Sequence, residues 1–200
     1  MKNKPLLLND QLICGSSTEG SGWRFHVEIL DLKTEQWRYI GPVESTVAVK
    51  TDDAQPHPID CIQPSLLRLS DGRLKVLMRS HNGRLAQSTS SDGGLTWTPV
   101  TLSTVENNQS GTDAVTLADG RHALVYNNFE TLLLTKKGPR TPLSLALSDD
   151  GETWRPWLTL EQSPTGEFSY PAIIQGRDGT LHIVYTYRRE RIAYKQIKLR

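Results

Sequence analysis

The sequence is poor in the features that mark several classes of proteins. It has only 2 cysteines, Cys14 and Cys61, and neither belongs to a Cys-x-x-Cys pair, so it lacks the pattern of a disulfide framework or a thiolate zinc site. A disulfide between the two is an alternative, but two buried free thiols in a reducing compartment fit better. The 5 histidines show no metal-ligand spacing. We therefore expect no metal ion and no cofactor.

The chain also lacks a long apolar run and an excess of charge. No stretch approaches the roughly 18–20 apolar residues of a membrane span, and the N-terminal residues do not form a signal-peptide pattern. We therefore expect no membrane span, and the cytoplasm is favoured. With 23 basic and 22 acidic residues, the net charge is +1, which excludes the broad basic field of a general nucleic-acid-binding protein. Phosphate-binding glycine loops are absent as well.

What the sequence does contain is repetition. Asp-Gly pairs at 71–72, 119–120 and 178–179 each lie between two short apolar runs, which is a strong signal for a β-hairpin. A second element, Asp-x-Gly-x-Thr-Trp, occurs at 92–97 and 149–154, with a degenerate copy at 31–37. Four antiparallel strands in each stretch of about 50–60 residues are typical of a propeller blade. Because no stretch shows a helical apolar period, we expect almost no helix.

The second element has a local structural explanation. A short aspartate side chain can accept backbone N–H bonds within a tight turn, glycine supplies a positive φ, and the tryptophan covers the turn. The full pattern, made by Ser90, Asp92, Gly94, Thr96 and Trp97, resembles the Asp box (BNR repeat) of sialidases, also called neuraminidases. In the second copy we align Asp149 with Asp92, which puts Leu147 at the first position. In that family the box lies away from the active site, which implies a folding role.

The resemblance covers residues from about 10 to 200 and implies an all-β propeller of the sialidase type, six-bladed when complete. We expect about three to three and a half four-stranded blades, at about 6–45, 60–103, 110–161 and 168–199, in one partial domain over residues 1–200. The chain would then be a fragment that matches the later half of the family's domain, or two copies would close one ring. Open blade edges would favour self-association, and we expect the isolated chain to lack meaningful glycosidase activity.

The resemblance also implies an active site. Sialidases hold the carboxylate of the sugar with three arginines and attack with a tyrosine that a glutamate activates, while an aspartate serves as acid and base. Arg140 and Tyr170 resemble the third arginine and the nucleophile. Asn127 stands at the place of the second arginine, and Gly111 at the place of the glutamate, with Asp113 the nearest carboxylate. The first arginine and the acid/base aspartate would lie before Met1.

The repeats provide further candidates without the family. Eight residues after the hairpin aspartates come Arg79, Asn127 and Thr186, and eight before them come Gln63, Gly111 and Tyr170. If the blades superpose, the residues of each set occupy equivalent positions around the central axis of the propeller. Propellers place their ligand sites on this axis. The predicted catalytic residues are Tyr170, Asp113 and Glu167. The predicted substrate-binding residues are Arg140, Arg79, Gln63 and Asn127.

Two other groups of residues are weaker candidates. Glu19, Trp23 and His26 form a cluster in which stacking on a sugar competes with core packing. The basic run at 187–191 is interpreted first as a solvated hairpin and second as a carboxylate-binding patch.

These observations predict a sialidase-like glycoside hydrolase that removes a terminal acidic sugar, such as sialic acid, from a glycan. Arg140 and Arg79 would hold the carboxylate, and Tyr170 would attack or stabilise the oxocarbenium-like centre, assisted by Asp113 or Glu167. Because Asn127 replaces an arginine, a hydrolase or lyase for another acidic, uronate-type saccharide is an alternative. A non-catalytic carbohydrate-binding propeller is another, since a fold does not fix a function.

Overall fold

The computed structural model describes residues 2–20, 22–49, 55–129 and 138–199, and the regular structure in these ranges consists of β-strands. None of the described residues forms a helix with the length and apolar character that a membrane crossing requires. Four antiparallel sheets follow one another along the chain and pack in the manner of propeller blades. The predicted all-β class is confirmed.

Each of the first three sheets has four strands in chain order, and the fourth has three. The first sheet contains β1 (Leu6–Leu8), β2 (Gln11–Thr18), β3 (Arg24–Asp31) and β4 (Trp37–Ile40). A short ribbon follows, made of β5 (Val47–Val49) and β6 (Pro56–Pro58). The second sheet contains β7 (Cys61–Arg68), β8 (Leu74–Ser80), β9 (Arg84–Ser90) and β10 (Thr101–Glu106).

The third and fourth sheets repeat this plan. The third contains β11 (Asp113–Thr116), β12 (His122–Asn127), β13 (Leu143–Ser148) and β14 (Arg155–Glu161). The fourth contains β15 (Phe168–Gln175), β16 (Thr180–Tyr187) and β17 (Arg191–Lys198). The first strands of the second, third and fourth sheets lie side by side: β7 contacts β11, and β11 contacts β15.

The three Asp-Gly pairs form the hairpins that the sequence predicts, each between the first and second strands of a sheet. Gly72, Gly120 and Gly179 have φ values of 87°, 90° and 80°, which an L side chain rarely adopts. The preceding aspartate accepts a backbone N–H two residues later in every case. The same local chemistry therefore starts three blades.

Apolar side chains fill the spaces between the sheets. Along β8, Leu74, Val76 and Met78 point to the cluster shared with the first sheet, whereas Leu77 points to the cluster shared with the third. A third cluster joins the third and fourth sheets. Because successive strand residues face opposite sides, a central blade is buried on both faces. Cys14 and Cys61 are buried free thiols, as predicted, and burial raises the pKa of Cys61 to about 12.

The Asp boxes occupy the turns between third and fourth strands. Oδ1 of Asp92 accepts the backbone N–H groups of Leu95 and Thr96 at 3.0 and 2.9 Å. Ser90 donates its hydroxyl to Asp92 at 2.8 Å, and the indole N–H of Trp97 donates to the carbonyl of Gly94 at 2.9 Å. The box is thus a closed hydrogen-bonded turn, which supports the predicted folding role.

The predicted alignment of the second box is wrong by one residue. Asp150, not Asp149, accepts the N–H groups of Glu152 and Thr153 at 2.8 and 2.7 Å, and Ser148 donates to it at 2.9 Å. The first position is therefore Ser148 rather than Leu147, and this turn is one residue shorter than the first. Asp149 pairs with Arg155 at the surface.

The N-terminal residues join the sheets. Nζ of Lys2 donates to the carbonyl oxygens of Thr112 and Pro171, both at 2.8 Å. Nδ2 of Asn3 donates to the carbonyl of Gln63 at 2.9 Å. The start of the first sheet is therefore bonded to the first strands of the second and fourth sheets and to the residue before β11.

Asp113 completes this junction from a buried position. Its Oδ2 accepts the ammonium of Lys4 at 2.8 Å and the backbone N–H of Ile173 at 2.9 Å. Its Oδ1 accepts the hydroxyl of Ser65 at 3.3 Å and the N–H of Ala114 at 3.0 Å. One carboxylate therefore has partners in the second, third and fourth sheets and in the segment that precedes β1.

Replacing Asp150 by alanine removes three hydrogen bonds to one carboxylate, so we expect the free energy of unfolding to fall by about 1–3 kcal/mol. Asp149→Ala removes only a surface ion pair, and we expect a change below about 1 kcal/mol. Urea unfolding of both variants measures this difference. Equal effects would contradict the assignment of Asp150 to the box.

The stability difference between the wild type and Asp150→Ala should also depend on pH. The N–H groups of Thr153 and Glu152 hold the pKa of Asp150 well below its usual range. A lowered carboxyl pKa stabilises the fold above the usual carboxyl range, and this contribution is lost as the pH falls below that range. The difference between the wild type and Asp150→Ala should therefore shrink on acidification from pH 5 to lower values.

Candidate active site

Two of the predicted rim residues lie at strained positions of equivalent strands. Gln63 and Tyr170 have φ values of 59° and 49°, and each lies where the register of the first strand shifts, in β7 and β15 respectively. Both are bulges, which re-aim side chains and often lie next to active sites. Gln63 and Tyr170, which both lie eight residues before a hairpin aspartate, thus occupy equivalent positions in their strands.

The third member of this set lies between the other two. A Cβ added to Gly111 would lie 2.9 Å from Oε1 of Gln63, 3.2 Å from Cδ1 of Tyr170 and 3.4 Å from Cε of Lys2. The three rim positions therefore meet, and a side chain at position 111 would require the amide of Gln63 to move. A cavity of about 260 Å³ opens beside Gln63 and is also lined by Lys2 and Glu19.

Arg140 has an unusual balance of burial and hydrogen bonding. Its side chain is 4% exposed, its Nη1 donates to Glu167 at 3.0 Å, and its Cζ lies 4.8 Å from the ring centre of Tyr170. Its Nε and Nη2 are buried and have no hydrogen-bond partner among the described residues. Because an unpaired buried donor is costly, this edge of the guanidinium is available to an acceptor other than the described residues.

Arg79 is placed on the other side of the tyrosine. It is hydrogen-bonded to the side chain of Tyr170, and its Cζ lies 4.8 Å from the ring centre of Trp23. Burial lowers the pKa of Arg79, and so does the charge of Arg140, whereas Tyr170 and Glu19 raise it. The structure therefore brings two arginines together around one phenol, with an indole beneath one of them.

Glu167 serves as the anionic partner of this group. Besides Arg140, it accepts the hydroxyl of Ser169 at 3.1 Å and Nε of Arg189 at 2.9 and 3.0 Å. Partial burial would raise the pKa of Glu167, but the hydrogen bonds from Arg189 and Ser169 and the charge of Arg140 outweigh it, so the pKa is lowered. Glu167 is therefore ionised at neutral pH.

Two predicted site residues are bonded inside the protein. Asp113 makes the four hydrogen bonds of the sheet junction. The Nδ2 atom of Asn127 donates to the carbonyl oxygens of Pro142 and Phe168 at 3.1 and 3.0 Å, and its Oδ1 accepts the hydroxyl of Ser110 at 2.7 Å. Asn127 is fully buried. Both residues position the neighbouring strands, and their roles toward a ligand stay predictions.

The weaker sequence candidates separate in the structure. Trp23 lies against Arg79, and its ring centre is 3.7 Å from that of His81. His26 is buried and contacts Glu28 and Tyr39 instead. Within the described ranges, no group of three or more His, Cys, Asp or Glu side chains could hold a metal ion.

Sequence reasoning missed two residues of the site. Lys2 fixes the backbone beside Tyr170, and no local pattern marks it. Burial lowers the pKa of Lys2 to about 8, although Asp113 opposes this change. Arg189 pairs with Glu167, and the basic run at 187–191 was the signal that could have indicated it.

The sequence matches the family model of the BNR repeat-like domain over residues 1–183. The chain belongs to this family. No curated protein sequence matches it significantly.

Solved structures agree with this BNR repeat-like fold. A protein of unknown function from Dyadobacter fermentans has a TM-score of 0.72 and 16% identity, over 99% of this chain and 53% of its own. The NanB sialidase of Streptococcus pneumoniae has a TM-score of 0.65 and 16% identity, over 98% of this chain and 30% of its own. The intramolecular trans-sialidase of Ruminococcus gnavus has a TM-score of 0.68 and 18% identity, over 94% and 40%.

These likenesses confirm the predicted propeller of the sialidase type. At 16–18% identity they show the fold alone. The BNR repeat-like chain spans 30–53% of the length of these three proteins.

In this BNR repeat-like domain, Glu167→Gln should lower the free energy of unfolding by about 1–3 kcal/mol, because a buried arginine loses its charged partner. Glu190→Gln, at an exposed glutamate in the turn between β16 and β17, is the matched control and should change stability by less than about 0.5 kcal/mol. Thermal unfolding at pH 7 compares the two.

Since the pKa of Glu167 is lowered in the fold, its contribution is present above the usual glutamate range and is lost below it. The two variants should therefore converge as the pH falls below about 4. A gap that is independent of pH would contradict the ion-pair role.

Proposed function

We propose that this protein is a sialidase-like glycoside hydrolase that acts on a terminal acidic sugar, such as sialic acid, of a glycan. The observation that carries the proposal is the buried edge of Arg140, with Nε and Nη2 unpartnered among the described residues, beside the half-exposed ring of Tyr170. These two nitrogens lie on one edge of the planar guanidinium. That edge forms two parallel hydrogen bonds with a carboxylate.

The proposed carboxylate site has a second cation. Nε of Arg79 is also buried without a partner in the described part of the chain. Glu167 neutralises part of the charge of Arg140 from the opposite side, through Nη1. The sugar acid would thus be held by Arg140 and oriented by Arg79, while Glu167 keeps the guanidinium of Arg140 in place.

Tyr170 is the proposed nucleophile. In the reaction, the phenol gives its proton to the assisting carboxylate while its oxygen bonds to the anomeric carbon, and the glycosidic bond breaks as the departing oxygen takes a proton from that carboxylic acid or from water. A water molecule then bonds to the anomeric carbon, the bond from this carbon to the tyrosine oxygen breaks, and the phenol regains a proton as the free sugar leaves. Arg79 donates a hydrogen bond to the phenol and so stabilises negative charge on its oxygen. A neutral tyrosine suits an anionic sugar, because a carboxylate nucleophile would be repelled. Asp113 and Glu167 are the proposed assisting groups, and each must exchange an internal hydrogen bond to act.

One observation favours a wider range of acidic sugars. The amide of Asn127 makes hydrogen bonds inside the protein, so this residue adds no charge at the place where the sialidase resemblance implies the second arginine. This departure from the sialidase pattern makes a uronate-type saccharide the second candidate. A binding propeller without turnover is the third, because both nearby carboxylates are engaged.

We expect the full chain to bind the methyl glycoside of N-acetylneuraminic acid or of glucuronic acid, but not a neutral methyl glucoside, in isothermal titration calorimetry. Arg140→Gln should weaken binding by at least about tenfold, because it removes a bidentate charged contact. Arg68→Gln, an exposed arginine of β7, is the control and should bind like the wild type. Equal binding of neutral and acidic sugars would contradict the proposal.

Because we expect the isolated chain to lack meaningful glycosidase activity, turnover of a fluorogenic sialoside and a fluorogenic glucuronide is measured on the complete propeller that contains it, and this measurement separates the three candidates. Tyr170→Phe should retain binding and lose turnover. Unchanged turnover in this variant would exclude Tyr170 as the nucleophile. Cleavage of the glucuronide alone would support the uronate-type alternative, and binding without any product would support the non-catalytic one.

A further inference from the structure

The hairpin between β16 and β17 has a strained basic tip, residues 187–191. Arg188 and Arg189 have φ values of 53° and 57°, in the left-handed region that costs an L residue about 1–2 kcal/mol. Three residues connect the paired Tyr187 and Arg191, and the positions with positive φ in tight hairpin turns are usually occupied by Asn or Gly. Two adjacent arginines at these positions therefore require a compensating interaction.

That interaction connects the tip to the candidate site. The backbone N–H of Arg188 donates to the carbonyl of Glu167 at 2.7 Å, and the side chain of Arg189 donates to both carboxylate oxygens of the same residue. The oxygen that accepts Arg189 also accepts Arg140. The tip thus lies within two hydrogen-bond lengths of the buried guanidinium.

The remaining cations of the tip, Arg188 and Arg191, are oriented by an aromatic ring, and the charge of Arg191 also acts on Glu161, whose pKa it lowers. Cζ of Arg191 lies 4.3 Å from the ring centre of Tyr187, and Cζ of Arg188 lies 5.7 Å from it. Tyr187 in turn packs against Phe168, with ring centres 5.2 Å apart. Both guanidinium groups are exposed, and neither pairs with a carboxylate in the described part of the chain. Stacking on an anchored ring limits their positions.

The charge around Glu167 is concentrated compared with the whole chain. The tip and Arg140, which share the carboxylate of Glu167, contain four arginines (Arg140, Arg188, Arg189 and Arg191) against Glu167 and Glu190, a net charge of +2, whereas all 200 residues together carry +1. An acidic sugar held by Arg140 would neutralise one of these charges. The exposed charges of the tip would still face the part of the glycan outside the pocket.

We propose that this tip is an outer anion subsite, which binds a second acidic group on a glycan whose first acidic group lies at Arg140. The inference rests on the proposed function and specifies its substrate class: an acidic oligosaccharide with a carboxylate or sulfate on the sugar next to the terminal one. Arg188 and Arg191 bind the second group, and Arg189 holds the tip on Glu167.

The test compares ligands with one and two charges on the full chain by titration calorimetry. The probes are the methyl glycoside of N-acetylneuraminic acid, its α2,8-linked dimer, and a sialoside sulfated on the neighbouring sugar. We expect the second charge to increase affinity by about 5- to 20-fold at low salt and by less at high salt. Whether the carboxylate or the sulfate gives the larger gain identifies the second group.

The double variant Arg188→Gln/Arg191→Gln should lose this gain and keep the affinity for the ligand with one charge. Arg177→Gln, at the opposite end of the same sheet, is the matched control and should keep the gain. Asparagine adopts a positive φ more readily than arginine, so Arg188→Asn should raise the melting temperature. The same variant should reduce the gain in affinity from the second charge. If Arg188 only stabilised the turn, this more stable variant would keep that gain.

The outcomes separate this inference from the proposed function. If the ligand with one charge binds through Arg140 and the second charge adds nothing, or if Arg177→Gln loses the same gain, the outer subsite is wrong and the proposed function stands. If binding needs Arg188 and Arg191 but not Arg140, the subsite stands and the proposed function fails. If no acidic glycan binds, both are wrong.

Discussion

The carboxylate of Asp113 is the point on which the arrangement of the sheets depends. It is buried, and its partners come from the second, third and fourth sheets and from Lys4, just before the first sheet. Apolar clusters hold each pair of neighbouring sheets together, but they are not directional. The hydrogen bonds of Asp113, and those of Lys2 and Asn3 beside it, fix how the first strands sit relative to each other.

The candidate site follows from this junction. The backbone N–H of Ile173 and the carbonyl of Pro171 are bonded to Asp113 and Lys2 respectively, so the backbone directly after Tyr170 is held by residues from other parts of the chain. The left-handed conformation of Tyr170 is therefore maintained by contacts outside its own strand. The same holds for Gln63, whose carbonyl is bound by Asn3. The backbone strain at Tyr170 and Gln63 is therefore offset by the hydrogen bonds that Asp113, Lys2 and Asn3 make beside them.

Local sequence chemistry predicted the parts of the fold that depend on few residues. The Asp-Gly hairpins and the box at Asp92 need only residues within one turn, and their spacing gave the blade order. The second box was misplaced because Asp149 and Asp150 are adjacent and the turn is one residue shorter. Only the hydrogen bonds to Glu152 and Thr153 distinguish the two aspartates.

The site was predicted in part, because its contacts cross between sheets. The eight-residue rule placed Gln63, Gly111 and Tyr170 correctly on one rim, since it follows the hairpin geometry. It could not show that Asn127 is saturated by carbonyls of Pro142 and Phe168, which depends on how the third and fourth sheets pack. The role of Lys2 depends on the same packing, 110 and 169 residues away in sequence.

The central claim, that Arg140 binds the carboxylate of an acidic sugar, is tested most directly by two crystal structures. One is of the protein with the methyl glycoside of N-acetylneuraminic acid, and the other is of the protein with methyl glucuronide. The account predicts that the carboxylate of at least one of these sugars lies within hydrogen-bond distance of both Nε and Nη2 of Arg140, with the ring of Tyr170 beside the anomeric carbon. A carboxylate bound away from Arg140, or a sugar bound in another cavity with Arg140 unchanged, would contradict it.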